Sequence, residues 1–596
     1  MSDWSFPFLD RVEVKGTFGV VAGSHKIASQ TAMGVLERGG NAFDAAVAAG
    51  FVFQVIEPHM NGLGGEAVMM VCPHDAGIPT VICGQGTAPA NATIEKVKAS
   101  GRDIMPPTGV LPAVVPGAFD AWMLLLRDYG TIRLQEALEP AVTYAENGYH
   151  LSAEVIRDIS KSAAHLSRLW PSTAEIFLPN CIVPAVGSIA TNRPLAATYR
   201  RLLQEAQASS VDRVEQIEAA RRAFYRGFVA DAIEQFVRSG PIPDDNGVYE
   251  DALISAQDLY NWSASTDAPV SVDFRGNRIY KAGFWSQSPV MLQMLQLVAT
   301  DDLEVLDPVG PELSHLCIEA AKLAYADREA WYGDPSFVAV PGAALLSSEY
   351  ARERRKLIGH YASSELIAGA PAGQVGSLPA GRTGYAAKRA AVSGRRARTG
   401  PAEGDTCHIN VCDKWGNIVS ATPSGGWLQG SPVVPGLGFP LSTRGQIFGL
   451  EKGFANSLEP GKRPRTTLSP GIAIGIANER RMGFGSKGAD YADQWSFLFT
   501  IRHICMGLSL QGAIDSPMLG VEHWPNSLFP KIAYPRRVQM DPRFPEASIA
   551  CLREQGHEIV IADRYRQGRH CAVLVDGIER IGASTLRLPH AAAVGR

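Results

Sequence analysis

Two hydrophobic rhythms alternate along the chain. Near its start, Gly19-Val20-Val21-Ala22-Gly23 is a short apolar run of strand type, and residues 28–38 carry helical spacing that stops at Gly39-Gly40. The next segment, residues 41–50, is so rich in small apolar residues that it predicts a helix buried on nearly all sides against a close neighbour. Glu57-Pro58-His59-Met60-Asn61-Gly62-Leu63-Gly64-Gly65-Glu66 predicts a tight loop in which glycines take backbone conformations that other residues resist, leading into a strand over 67–72.

The carboxy-terminal third returns to strand patterning. Residues 407–422 predict two strands joined at Asp413-Lys414-Trp415-Gly416-Asn417, where glycine and asparagine suit positive φ. Strands over 471–476 and 481–484, a helix over 495–506, and a final helix with one or two strands over 552–574 follow, with a hairpin near Asp576-Gly577. This periodicity predicts a mixed α/β protein without internal repeats.

Between about 367 and 403 the pattern breaks down into Ala, Gly, Pro, Ser, Arg and Lys, as in Ser393-Gly394-Arg395-Arg396-Ala397-Arg398. So few large apolar side chains cannot offset the entropy of ordering the segment, which predicts a mobile linker. With 596 residues the chain exceeds the usual limit for one simple core. Its 46% hydrophobic and 19% charged residues and net charge of -4 give no basic excess for nucleic acid. No apolar run reaches the roughly 18 residues of a membrane span, and Met1-Ser2-Asp3-Trp4-Ser5-Phe6 lacks a leader pattern, so the expected compartment is the cytoplasm. Nine cysteines without Cys-x-x-Cys spacing predict reduced, mostly buried thiols and no structural zinc.

The linker ends just before Gly404-Asp405-Thr406-Cys407-His408, which makes Thr406 the candidate nucleophile and Asp405-Thr406 the candidate cleavage site. A threonine hydroxyl needs a base, and a threonine at a new amino terminus carries one as its own α-amine, with a reference pKa of about 8. Strand alternation places Cys407 on the opposite face, where it packs as a small hydrophobe.

The order Gly-Ser-His at 23–25, Gly-Gly-Asn-Ala-Phe-Asp-Ala-Ala-Val-Ala at 39–48, Glu-Pro-His at 57–59 and Gly-x-Gly-Gly at 62–65 resembles the amino-terminal signature of gamma-glutamyltranspeptidases, autoprocessing amino-terminal-nucleophile hydrolases. Asp-Thr-x-His-x-x-x-x-Asp-x-x-Gly-Asn-x-Val-Ser from Asp405 resembles the family's processing motif. The middle of the chain continues the likeness at Val115 to Trp122, Phe224-Tyr225-Arg226-Gly227 and Ala324-Tyr325-Ala326-Asp327-Arg328, which read as packing and capping residues.

The resemblance implies an α/β, four-layer αββα sandwich. It implies a large subunit, residues 1–405, and a small subunit, residues 406–596, from one precursor, with further dimerisation open. It also implies that Ser424 hydrogen-bonds the nucleophile and that Gly488 and Ala489, in Gly485-Ser486-Lys487-Gly488-Ala489-Asp490, donate to the oxyanion. Thr466 and Thr467 stand where the family has a serine pair that binds substrate polar groups. The expected substrate is a small-molecule amide or acyl compound, and no cofactor is implied.

Departures from the family concern the substrate head. Gln85 stands where an arginine holds the glutamyl carboxylate, and an amide cannot form that bidentate ion pair. Gly426 and Ile447 fall at the two α-ammonium contacts, within a loop that also presents Arg444 and Gln446. Arg444 either offers a cation to the substrate or braces the loop. The sequence therefore predicts an acyl hydrolase or transferase with a changed acyl specificity. The alternatives are a carbon–carbon bond cleavage releasing a small dicarboxylate, and an unprocessed binding homologue.

Overall fold

Strand residues point alternately at two kinds of neighbour, and this alternation builds the molecule in layers. The computed structural model describes residues 11–378, 406–478 and 480–596. Fourteen strands form its two main sheets: β1 (Val14–Gly16), β2 (Gly19–Gly23), β3 (Glu66–Cys72), β4 (Thr80–Gly84), β5 (Ser265–Asp267), β6 (Val270–Phe274), β7 (Asn277–Lys281), β8 (Ile409–Asp413), β9 (Ile418–Ser424), β10 (Gly471–Gly475), β11 (Arg481–Ser486), β12 (His570–Asp576), β13 (Glu579–Ser584) and β14 (Ala592–Gly595). The first sheet runs β14-β2-β8-β9-β3-β4-β5 and the second β1-β13-β12-β11-β10-β7-β6, antiparallel at every pairing.

Along β8 and β9, Ile409, Val411, Val419 and Ala421 face a helical layer, while Cys412 and Ile418 face the second sheet, where they meet Ile472, Cys571 and Val573. The outer layers are helices. α1 (Lys26–Glu37), α2 (Ala42–Ile56) and α3 (Ala118–Tyr129) cover the first sheet. α4 (Pro289–Leu297), α5 (Pro311–Trp331) and α6 (Ala492–Thr500) cover the second. The result is a helix–sheet–sheet–helix sandwich, the αββα architecture expected from the resemblance.

Every residue of α2 is buried. Asn41 caps it by accepting from the Phe43 and Asp44 amides, and Asp44 accepts from the Asn41 amide in return at 2.9 Å. A Cβ at Gly50 would lie 2.4 Å from the Trp122 ring, so α2 and α3 touch closely at that point. His25, rather than Ala28, opens α1, because its Nδ1 accepts from the Ile27 amide at 3.2 Å. The helix expected over 495–506 instead runs from Ala492 to Thr500 and continues as a π-helical turn, Ile501–Cys505.

The loop at 57–66 is tight, but for another reason than backbone freedom. Gly62, Gly64 and Gly65 take no positive φ; a Cβ at each would meet the carbonyl oxygens of Gly426, Pro440 and Ser424 within 2.4 Å. Their missing side chains let this loop lie against the end of β9. At the β8–β9 turn Gly416 alone takes positive φ, at 91°, while Asn417 ties back to Asp413 through its amide and side chain. Asp413 also accepts from the Ala42 amide at 2.9 Å, docking the start of α2 onto the hairpin.

All nine cysteines are free, six of them buried. No helix among the described residues is long and apolar enough to cross a membrane. Of the segment 367–403, residues 367–378 are described: the Gly369 amide donates to Asp327 at 2.7 Å and its carbonyl accepts from Trp331 at 3.2 Å. The rest of it, and Asp405, lie outside the described residues.

Candidate active site

Thr406 stands just ahead of β8 and forms an isolated antiparallel bridge with Ser424 at the end of β9. Its side chain faces away from the helical layer and is 4% exposed. Thr406 Oγ1 lies 3.1 Å from Ser424 Oγ. Arg444 Nη2 donates to the same Ser424 Oγ at 2.5 Å, and its guanidinium lies 3.5 Å from Glu66 Oε2. Ser442 donates to the other Glu66 oxygen, and Arg444 sits over the Trp427 ring, 5.0 Å from its centre. A chain of buried polar contacts thus runs from Glu66 through Arg444 and Ser424 to Thr406. Burial pushes the Glu66 carboxyl up, and Arg444 pulls it back down.

In this structure the Arg444 charge is paired with Glu66 and its Nη2 reaches Ser424, the residue that contacts Thr406. Glu66 was not singled out in the sequence because it reads only as the last residue of the 57–66 loop. Its carboxylate is packed against the β9 end, where Gly425 has φ 76° and a Cβ would lie 1.9 Å from Glu66 Oε2. Gly426, next to it at φ 61°, presses its backbone against Gly65 and offers the site no side chain.

On the other face of the strand, Cys407 sits in the apolar cluster but is not merely a hydrophobe. Its thiol donates to Glu57 Oε2 at 3.1 Å and accepts from Asn61 at 3.1 Å. Burial pushes that thiol well above its ordinary pKa, so it stays protonated, and burial lifts the Glu57 carboxyl to about 7. Lys487 reaches into the same region, its ammonium 3.7 Å from Met60 Sδ.

His408, inside the processing motif, is no free base. Its ring nitrogens contact Thr422 at 2.9 Å and Asn410 at 3.2 Å, and burial holds its pKa at about 3. In the unfolded chain it protonates near 6.5, so its contribution to stability is present at neutral pH and is lost as pH falls from about 6.5 toward 3. His408→Asn should therefore remove about 1.4 kcal/mol per pH unit from the slope of stability between pH 6 and 4. Urea melts of the two proteins across that range check it; parallel slopes would contradict it.

The end of β11 meets the residue just ahead of β8, since a Cβ at Gly485 would lie 2.3 Å from the His408 ring. In the loop after β11, a Cβ at Gly488 would strike Trp495 at 2.4 Å, and Ala489 is held at φ 47°, which few non-glycine residues adopt. Neither amide N–H finds an acceptor among the described residues. The strained turn is pinned from α5: Tyr325 donates to the Asp490 carbonyl at 2.5 Å and Arg328 pairs with the Asp490 carboxylate at 2.8 Å. Residues that read as packing in the sequence therefore position this loop.

The remaining site residues divide. Ile447 forms a small apolar cluster with Ala489 and Leu528, while Gln446 accepts from the Phe529 amide at 3.2 Å. Thr466 is joined to Ala489 through Gln287, whose amide N–H donates to the Thr466 carbonyl at 2.8 Å and whose side chain donates to the Ala489 carbonyl at 2.9 Å. The Thr466 hydroxyl makes a local turn bond to the Leu468 amide, and Thr467 is buried beside it. Gln85 is buried at the end of β4, donating to the Gly86 carbonyl at 3.1 Å, with its own amide oxygen lacking a partner among the described residues. An open cleft of about 620 Å³ lined by Ile94, Trp331, Phe337 and Lys452 includes none of these residues.

Similarity to known proteins covers the same ground. Among solved structures, LmbA2991HD aligns with a TM-score of 0.92 at 43% identity, covering 99% of this chain and 100% of that one. Cephalosporin acylase from Bacillus halodurans aligns with a TM-score of 0.81 at 28% identity, covering 100% of this chain and 99% of that one. The oxamate amidohydrolase proenzyme of Klebsiella pneumoniae is 29% identical over 569 residues, 94% of either chain. The gamma-glutamyltranspeptidase family profile matches residues 28–595, from α1 to the last strand and across every site residue described above. By that match and by its fold, the chain is an enzyme of the gamma-glutamyltranspeptidase family.

Proposed function

We propose that this protein is an autoprocessing acyl hydrolase or acyltransferase that works through a Thr406 ester and does not act on a standard γ-glutamyl head. The observation that carries the reading is the 3.1 Å contact between Thr406 Oγ1 and Ser424 Oγ at the start of β8. In the precursor the Thr406 hydroxyl attacks the Asp405 carbonyl; the acyl group shifts from nitrogen to oxygen, and water cleaves the ester. Residues 1–405 and 406–596 are the products. The freed α-amine then takes the proton of the Thr406 hydroxyl as it attacks a substrate amide. The Gly488 and Ala489 amides donate to the oxyanion, a contact whose removal costs on the order of 100-fold or more in rate. The amine of the substrate leaves, and water or an acceptor amine takes the acyl group.

Three features support a changed acyl group. Gln85 cannot pair bidentately with a carboxylate, Ile447 sets an apolar wall beside Ala489, and Arg444 is already neutralised by Glu66. Relatives of this length include proteins named for cephalosporin and for oxamate, which suits a family member that takes other acyl groups. A panel of amides with and without an α-amino acid head tests the specificity, with the acyl-enzyme trapped and weighed. The γ-glutamyl amide should show kcat/KM on the order of 100-fold below that of the best substrate. Efficient γ-glutamyl turnover would overturn the reading of Gln85 and Ile447. A trapped mass corresponding to a small dicarboxylate monoester, formed from a ketone rather than an amide, would point instead to carbon–carbon cleavage.

A further inference from the structure

We propose that His315, Glu319 and His557 form a binding site for one divalent transition-metal ion, with zinc the best match to the donor set. His315 and Glu319 lie four residues apart on one face of α5, and His557 immediately precedes the strand Glu558–Ile561. One ligand atom from each falls within 4.8 Å of the others, and the residues are 7%, 3% and 3% exposed. Two imidazoles and a carboxylate are a set that zinc takes, leaving a fourth position for water. The cysteine spacing gives no hint of such a site, and the short His-x-x-x-Glu spacing acquires its third ligand only through the fold.

The outer contacts are those a metal site needs. His315 Nε2 lies 2.9 Å from the Gly359 carbonyl, which keeps the ring proton on Nε2 and turns the Nδ1 lone pair toward His557. His315 Nδ1 is 2.8 Å from His557 Nε2. Zinc bound to both would hold these nitrogens about 3.3 Å apart, so the rings need to part by only about 0.5 Å. Lys322 donates to Glu319 Oε1 at 2.6 Å and to the Ser363 carbonyl at 2.9 Å. Oε2, which accepts from the Ser363 amide at 3.3 Å, is the oxygen Lys322 leaves to the ion. Lys322 then orients the carboxylate from the far oxygen, as partners of metal-bound carboxylates do. His557 Nδ1 is buried without a partner among the described residues, so its hydrogen bond to His315 through Nε2 is the contact that the ion replaces. His315 and Glu319 precede Thr406 and His557 follows it, so the ion would join the two pieces of a processed chain; the binding itself does not depend on processing.

The test uses the full-length protein, dialysed against a chelator and titrated with zinc, with bound metal counted by elemental analysis and thermal melting followed with and without zinc. One zinc per chain and a raised Tm are expected, with affinity about 100-fold lower in Glu319→Gln and lost in His315→Asn/His557→Gln. Cobalt in place of zinc should give a visible absorption band that zinc displaces. Wild-type protein that retains no zinc, or that binds as much as the double variant does, overturns the proposal. If the double variant fails to fold, the wild-type stoichiometry and Glu319→Gln still decide. Because these readouts measure metal and not turnover, their failure is distinct from failure of the threonine chemistry.

Discussion

Thr406→Ala is expected to remain one chain of 596 residues on a denaturing gel and to turn over no amide. The substitution removes the hydroxyl that lies 3.1 Å from Ser424 Oγ while leaving β8, β9 and the bridge between Thr406 and Ser424 in place. Loss of a nucleophile of this kind typically costs on the order of 10⁴-fold or more in kcat. Thr406→Ser keeps the hydroxyl and should still be cut, though more slowly, since the methyl group that fixes the threonine rotamer is gone. Cleavage of the alanine protein at the same bond would place the nucleophile elsewhere.

The second large effect is expected at Arg444→Met. It leaves the Glu66 carboxylate buried without its charged partner and removes the donor that contacts Ser424 beside Thr406. Breaking one side of a buried pair costs about 3–5 kcal/mol, whereas Glu66→Gln/Arg444→Met removes both charges and should recover much of that loss. The sign with pH follows from Glu66. Its carboxyl, already raised by burial, rises further without the arginine, so the single variant is least destabilised in acid and loses stability as pH rises through the Glu66 titration. Denaturant melts at pH 5 and pH 8 measure this, and equal destabilisation at both pH values would count against it. In turnover, if Thr406 is the nucleophile as proposed, the single variant should lose kcat more than KM, because Arg444 contacts Ser424 beside it.

The place of Thr406 at the head of β8 was legible in the sequence because its signal is local. A threonine ahead of an alternating strand, behind a segment too polar to pack, needs no long-range information. The helix at 41–50 was legible for the same reason, as its alanine run and Asn41–Asp44 cap lie within a few residues. The Glu66–Arg444 pair was not, because its partners are separated by 378 positions and each alone reads as an ordinary strand or loop residue. Cys407 and Glu57, 350 positions apart, illustrate the same limit: alternation gave the correct face for the thiol but could not reveal the carboxylate waiting there. The glycines at 62–65 were located correctly and explained wrongly, since crowding by carbonyls of the β9 end is a tertiary fact. Tyr325 and Arg328 read as helix packing until the loop they pin, more than 160 positions later, is placed beside them.

Intact mass spectrometry of the freshly purified wild-type protein, with sequencing of every amino terminus, tests the central claim most directly. The account predicts two fragments, 1–405 and 406–596, the smaller beginning at Thr406 with a free α-amine. A single uncut chain that nonetheless turns over its substrate, or a new terminus anywhere other than Thr406, would contradict it.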